Sequence, residues 1–362
     1  MECKMAQQTS PDPIQEFQQK INELQMEISS LVSKTDLSTI RDDVEDLNTN
    51  INMMSEKIKD IRTRGYVFGK DLEPRSSALL AQWTRAHPGI AASIDQQSQA
   101  LRNQSRGLDG MMLQVTSRAR TPLMAQPFFS QAETASDALE SAISKAESSI
   151  RGTYDELGKD IEAIVDQVNK VDEMLEKFAA ASFVIRAGEG AIACVKAKWW
   201  ANGRDEKQNP EGYVYLTDQR LFYEQNEEVA TKKVLFITTE RKKIQQLLFE
   251  FPVELVADVV AVKQGMFKNE DHIDLTLKSG APYPAVHFHL DGQDCNYWDS
   301  LIGKAKTKEF DRDRTVAIPK EDLEKIKNAP ANCPKCGGVI NQPVLRGQES
   351  ITCTFCGNVI RL

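Results

Sequence analysis

Four of the seven cysteines stand as two Cys-x-x-Cys pairs, Cys333/Cys336 and Cys353/Cys356, with sixteen residues between the pairs. Thiolates spaced in this way ride on two tight turns and can approach one ion from both sides. Gly337, Gly338 and Gly357 supply the positive φ that such turns need. The same residues could instead form two disulfides or a dithiol redox centre. Disulfides belong to oxidising compartments, and a redox motif needs only one pair. The spacing therefore predicts one structural Zn2+ held by Cys333, Cys336, Cys353 and Cys356. Four protein ligands leave no position open to water, so this metal holds a fold and performs no chemistry. Cys3, Cys194 and Cys295 are scattered singly.

Other residues with chemical potential are sparse. His287 and His289 stand at i and i+2 on an expected strand and so share a face; His272 and Cys295 are the candidates to complete a metal set with them. Packing or surface histidines are the plainer reading. The densest basic positions are Lys232, Lys233, Arg241, Lys242 and Lys243. If they converge at one mouth of a barrel they offer charge-assisted bonds to phosphate or anionic lipid. Glu227, Glu228 and Glu240 lie beside them, which favours ordinary solvated strand ends. Gly188-x-Gly190 imitates a dinucleotide fingerprint, but that motif must open a helix, and Ile192–Trp200 reads as strand. Trp199 and Trp200 must face opposite ways on it: one is core and the other an exposed or interface aromatic. No P-loop, Gly-x-Ser-x-Gly elbow or His-Glu-x-x-His occurs, so no enzyme is expected.

A chain of 362 residues exceeds one ordinary domain, and 41% hydrophobic with 27% charged residues suits a soluble protein with a real core. No apolar run reaches the ~18 residues of a membrane span. Leu247–Val262 is interrupted by Glu250, Pro252, Glu254 and Asp258, and the first residues lack the apolar stretch of a secretory signal. A cytoplasmic location, with peripheral membrane association as an extension of it, is the expectation. The net charge of −8 falls in the first 182 residues, and the remainder is balanced. A nucleic-acid binder should carry a basic domain or stripe; none is present at domain scale, so nucleic acid is disfavoured.

The first half has helical periodicity. Ile14, Phe17, Ile21, Leu24, Ile28 and Leu31 form one three-four seam. Leu37, Ile40, Val44, Leu47, Ile51, Met54, Ile58 and Ile61 form a second, out of phase with the first. Ser33-Lys34-Thr35-Asp36 offers a capping box between them. A helical hairpin turning near Ser33 is preferred to one long helix with a register skip. Gly65–Pro74 is a break, Pro88 opens a further helix, and Gln96–Ala125 carries a weak stripe of Leu101, Leu108, Met112 and Val115. A last seam runs Leu139, Ile143, Ala146, Ile150, Leu157, Ile161, Ile164, Val168, Val171, Leu175 and Phe178. Acidic polar faces on these helices favour a bundle or self-pairing coiled coil over a helix lying on a membrane.

After Ser182 the apolar period changes to two. Strands are expected over Ala191–Trp200, Gly212–Thr217, Arg220–Tyr223, Lys233–Thr238, Leu247–Phe251, His272–Leu277 and Ala285–Leu290. Asp291-Gly292 then caps a helix carrying Trp298, Leu301 and Ile302. The run from Gly212 to Tyr223, Gly-Tyr-Val-Tyr-Leu-Thr-Asp-Gln-Arg-Leu-Phe-Tyr, resembles the signature hairpin of GRAM and bacterial pleckstrin-homology-like domains. Glu189-Gly190 before it, Phe251–Leu255 after it and the closing helix fit that layout, over about 183–305. The resemblance implies an antiparallel barrel closed by a C-terminal helix, without catalysis. It also implies binding of anionic headgroups or proteins, but brings no set of lipid-binding residues. The four-cysteine unit resembles the zinc ribbons appended to many prokaryotic proteins.

The resulting fold class is multi-domain α + β. It comprises a helical hairpin or coiled coil (1–64), further helices ending in a long one (65–182), a GRAM/PH-like domain (183–305), a semi-flexible linker (306–331) and a zinc ribbon (332–362). The function expected is a non-enzymatic adaptor that self-associates or binds a protein partner through its helices and docks to anionic lipid or protein through the PH-like domain. The alternatives are a nucleic-acid-associated factor acting through the ribbon and an enzyme with a site near His287 and His289.

Overall fold

A computed structural model describes residues 12–362 apart from 202, 205, 207, 208, 235, 236, 266 and 268. The side chains of 229–234 and 237–241 also lie outside the description. Two compact units result: one takes residues up to Ser55 with Pro74–Val165, the other Glu56–Glu73 with Asp166–Leu362.

The helices are α1 (Pro13–Lys34), α2 (Ser38–Thr63), α3 (Leu72–Ser117) and α4 (Pro122–Ala180), of which the first unit takes α1, α2 as far as Ser55, α3 from Pro74 and α4 as far as Val165. Asp12 caps α1 by accepting from the Ile14 amide at 3.1 Å, and Pro13 occupies the first turn, where its missing N–H costs nothing. The seams of α1 and α2 are buried from Phe17 to Ile61, and Ile14 at the start of the first is exposed. The hairpin expected near Ser33 is not formed. Along α4, Phe17 meets Phe129, Glu27 accepts from Ser136 and Asp43 pairs with Arg151, so α1 and α2 run in one direction. α3 returns antiparallel, with Asp36 on Arg102, Arg41 on Asp95 and Asn48 on Trp83. The interruption is a register skip: Thr35 ends α1, donating its hydroxyl to Val32 O at 2.7 Å, and Leu37 takes a left-handed φ of 51°. Ser33 makes no capping box; its hydroxyl bonds back to Ser30 O at 2.6 Å. Pro88 does not open a helix but lies inside α3. The buried stripe of Leu79, Trp83, Ile90, Ile94 and Leu101 continues across it, so packing outweighs the backbone bond that proline deletes. The stripe of Leu108, Met112 and Val115 is buried as expected, while midway along the last seam Tyr154 is buried and Leu157 only partly so.

In the second unit seven antiparallel strands form one sheet in the order β4-β3-β2-β1-β7-β6-β5. They are β1 (Ala191–Trp199), β2 (Glu211–Thr217), β3 (Arg220–Val234), β4 (Ile237–Pro252), β5 (Val256–Gln264), β6 (Glu270–Leu277) and β7 (Ala285–Asp291). No ladder joins the edge strands β4 and β5 among the described residues. The strand expected at Lys233–Thr238 is instead the end of the long β3–β4 hairpin, and its centre lies outside the described residues. β5 gives no clear alternation in the sequence because Val256 alone of its positions is buried. One face of the sheet carries the core, including Trp199, Leu216, Tyr223, Phe251, Phe288 and Leu290. α5 (Cys295–Lys306) closes it with Trp298, Leu301 and Ile302. The cap of α5 is Asp294, accepting from the Asn296 amide at 2.7 Å, and not Asp291-Gly292.

The opposite face is covered over β2 and β3. Phe183 stacks on Phe222 at 4.2 Å, and Phe178, at the end of α4, meets Tyr215 edge-on at 5.0 Å. The geometry of the turn between these strands rests on Thr217, whose hydroxyl accepts from the Arg220 amide at 2.8 Å and donates to Glu189 at 2.6 Å. A β-carbon at Gly212 would stand 1.9 Å from Glu224 O, so only glycine lets β2 approach β3 there.

Candidate functional site

Each cysteine pair is set by a turn written in the local sequence. The Cys333 amide donates to Gly338 O at 2.8 Å and the Gly337 amide to Cys333 O at 2.8 Å. In the second turn Cys353 donates to Asn358 O and Gly357 to Cys353 O, both at 2.9 Å. Gly337 and Gly357 have φ of 71° and 69°, the left-handed region. β8 (Ser350–Thr352) and β9 (Val359–Arg361) pair antiparallel and place Ile351 and Ile360 beside Cys333 and Cys353 in a very small core.

The four sulfurs lie within 4.8 Å of one another, with Cys333–Cys356 at 3.7 Å and Cys336–Cys353 at 3.6 Å. A tetrahedral ion with metal–sulfur bonds of about 2.3 Å requires sulfur separations of about 3.8 Å, so the donor set fits such an ion. Burial opposes ionisation of Cys333, but the amides of Cys336 and Lys335 point at its sulfur and hold its thiol down, while the neighbouring sulfurs push the Cys336 thiol up. A bound metal takes all four as thiolates.

The segment before this unit is not a free tether. α6 (Lys320–Asn328) follows a short 3-10 turn, Glu309–Asp313, that is pinned on both sides. Phe310 packs on Phe68 at 5.5 Å, the Gly69 amide donates to Asp313 at 2.9 Å, and Thr315 donates to Val67 O at 2.8 Å. Arg314 and Arg346 both bond the buried Asp218 in the β2–β3 turn; Arg346 reaches Asp311 as well, at 2.8 Å, and its amide meets the Gln219 side chain. The four-cysteine unit is thereby seated on the strand module. Buried charges must be paired, and here the partners are 128 residues apart. An evenly charged linker in the sequence gives no sign of that.

In the same turn Arg220 is only 5% exposed, held by Glu189 at 2.6 Å and Glu250 at 2.8 Å. The Leu-Thr-x-x-Arg pattern is therefore structural. A cleft of about 210 Å3 lies beside it, lined by Arg186, Arg220, Glu250, Pro343 and Leu345, and Arg186 Nη1 is buried without a partner.

The basic positions come together on one hairpin. In the backbone register of β3 and β4, Lys243 faces Glu228, Lys242 faces Val229, Arg241 faces Ala230 and Lys232 faces Glu240. Lys242 and Lys243 are exposed, whereas the side chains of Lys232, Lys233 and Arg241 lie outside the described residues.

The expected histidine set is regrouped. His272, His287 and His289 do share the outer face of β6 and β7, opposite Ile273 and Phe288. Trp199 is core, and Trp200 stacks on His287 at 4.7 Å with its indole N–H buried and unpartnered. Cys295 is not among them: its amide donates to Asp271 at 2.8 Å on the far side of the strand, beside Asp294. The carboxylates that do join the histidines are Glu270 and Asp274. Asp274 lies on the strand expected over His272–Leu277, whereas Glu270 is legible only once β6 is known to run from it, so that Glu-x-His-x-Asp faces His-x-His.

No helix among the described residues is long and apolar enough to cross a membrane. No protein-family model matches this chain, and no curated protein does. Among solved structures it is similar to the Vps36 N-terminal PH domain, at 16% identity over 35% of this chain and 85% of that one, with a TM-score of 0.25. It is also similar to the PDZ-RhoGEF DH/PH domains in complex with GTP-γ-S-activated RhoA, at 15% identity over 83% and 96% of the two chains, with a TM-score of 0.24. At these scores the likenesses carry no argument. The PH-like description rests on the seven-stranded antiparallel sheet and its closing helix.

Proposed function

We propose that this chain is a non-enzymatic adaptor whose PH-like module, of GRAM type, docks to an anionic membrane surface through the β3–β4 hairpin. The observation that carries the reading is the gathering of Lys242 and Lys243, both exposed, with Lys232, Lys233 and Arg241 along one hairpin at the sheet edge. Exposed lysines near an anionic surface contribute about 1 kcal/mol each and act without a shaped pocket. The four cysteines hold one structural Zn2+, which keeps their small unit folded against the module.

The helices supply a protein-binding body. Their seams are covered by the chain's own helices, so a partner is preferred to self-association. The end of α3 and the start of α4 leave Leu113, Leu123 and Met124 exposed for one. Nucleic-acid binding through the ribbon is not proposed, because Arg346, one of its three cations, is engaged with Asp218 and Asp311.

Co-sedimentation of the full chain with phosphatidylserine-containing vesicles tests the reading. Binding that falls on Lys242→Glu/Lys243→Glu and with added salt is expected. Binding that is absent, or indifferent to both, overturns it.

A further inference from the structure

We propose that Glu270, His272 and His289 form a second cation site, distinct from the four cysteines, for a borderline divalent ion such as Zn2+.

The sheet alone brings the three together. Glu270 and His272 are two apart on β6 and share a face, and His289 on β7 is the direct cross-strand partner of His272. Their ligand atoms lie within 4.8 Å of one another, and His272 Nε2 stands 3.5 Å from Glu270 Oε2. Tetrahedral coordination with bonds of about 2.0–2.1 Å needs ligand separations of about 3.4 Å.

With His287 and His272 both neutral, the hydrogen bonds set one tautomer for each ring, and that arrangement leaves a place for a cation. The Asp274 carboxylate takes the proton on His287 Nδ1. His287 Nε2 is then an acceptor, so His272 Nδ1, 3.0 Å away, must carry the proton between them. His272 Nε2 is left with a lone pair, facing a carboxylate oxygen with no hydrogen for either. His272 is 0% exposed, so water does not reach around it freely. Two acceptors set face to face are what a metal ion bridges. The Asp274–His287–His272 chain is the outer support that metal-bound imidazoles use to fix their orientation, and Trp200 walls it with rings at 4.7 and 4.8 Å from His287 and His272.

The neighbouring acidic cluster makes the contrast. Asp271 and Asp294 already hold the Lys263 ammonium, the latter at 3.1 Å, whereas Glu270 faces the neutral His272 ring. Lys198, beside His289 in the ladder, is drawn towards Glu211 at 3.8 Å. Two imidazoles and a carboxylate suit Zn2+ and leave its fourth position to water.

The test loads the full chain with excess Zn2+, removes free metal and counts ions per chain by elemental mass spectrometry. Two are expected for the wild type, and one for His289→Ala and for Glu270→Gln. Asp274→Asn, which disturbs only the outer support, should weaken the second ion about tenfold or more. Should a variant misfold, the ring 15N signals of wild-type His272 and His289 decide, since both must shift with the second equivalent. A wild type that stops at one ion, or imidazole signals unmoved by the second, overturns the proposal. The vesicle reading above is independent of either result.

Discussion

The two clusters able to hold a metal differ in how the chain encodes them. The four thiols come from two turns, each defined within six residues, and each turn orients its own pair through backbone bonds and a left-handed glycine. Glu270, His272 and His289 come from two strands whose relation is set by the whole sheet, with His287, Asp274 and Trp200 holding the rings. The first needs its ion to fold, because its core is little more than Ile351 and Ile360. The second is supported by a sheet with an ample core on its other face. Removing the metal should therefore have opposite consequences in the two places.

Breaking the first cluster has the largest expected effect. Cys353→Ser, or chelation, should release the ion and open residues 332–362 to limited proteolysis, while far-ultraviolet circular dichroism of the helices stays unchanged. Next is the buried charge pair that fixes the β2–β3 turn. Glu189→Ala leaves the buried Arg220 with Glu250 alone and should cost about 3 kcal/mol in denaturant unfolding of the second unit. On the covered half of the outer face, Phe183→Ala removes the ring stacked on Phe222 and should cost about 1 kcal/mol beyond the lost burial. His289→Ala, by contrast, should change stability without metal very little, because its neighbours stay paired.

Acid gives a smaller and signed effect. Asp294 is held down to about 2 by Lys263 and by the Asn296 amide. A depressed carboxylate stabilises the fold above its ordinary value of 3.8 and loses that contribution as pH falls through about 2. The cap of α5 should therefore begin to weaken below about pH 4, and Asp294→Asn should flatten that part of the profile. The smallest change in stability is expected from Lys242→Glu/Lys243→Glu, within about 0.5 kcal/mol, as for exposed substitutions generally; its effect should be confined to vesicle binding.

What was readable in the sequence follows the same division. The cysteine spacing, the helical seams and the turn at Thr217–Arg220 are local patterns, and each took the form its periodicity implied. The direction of α2 was not readable. An out-of-phase seam is equally compatible with reversal and with a skip, and only the pairings Phe17–Phe129 and Asp43–Arg151 decide. Pro88 reads locally as a helix start, yet the apolar stripe on both sides of it carries one helix through. The seating of Arg346 on Asp218 spans most of the module and has no local signature. Glu270 was missed because a carboxylate two residues before a histidine means something only when both lie on a strand opposite another histidine.

X-ray absorption at the zinc edge of the full chain, with one and then two equivalents of Zn2+, tests the two-site account most directly. It predicts four sulfur neighbours at about 2.3 Å for the first equivalent, and nitrogen and oxygen neighbours at about 2.0–2.1 Å for the second. A first equivalent with fewer than four sulfurs, or a second that binds sulfur or nothing, would contradict it.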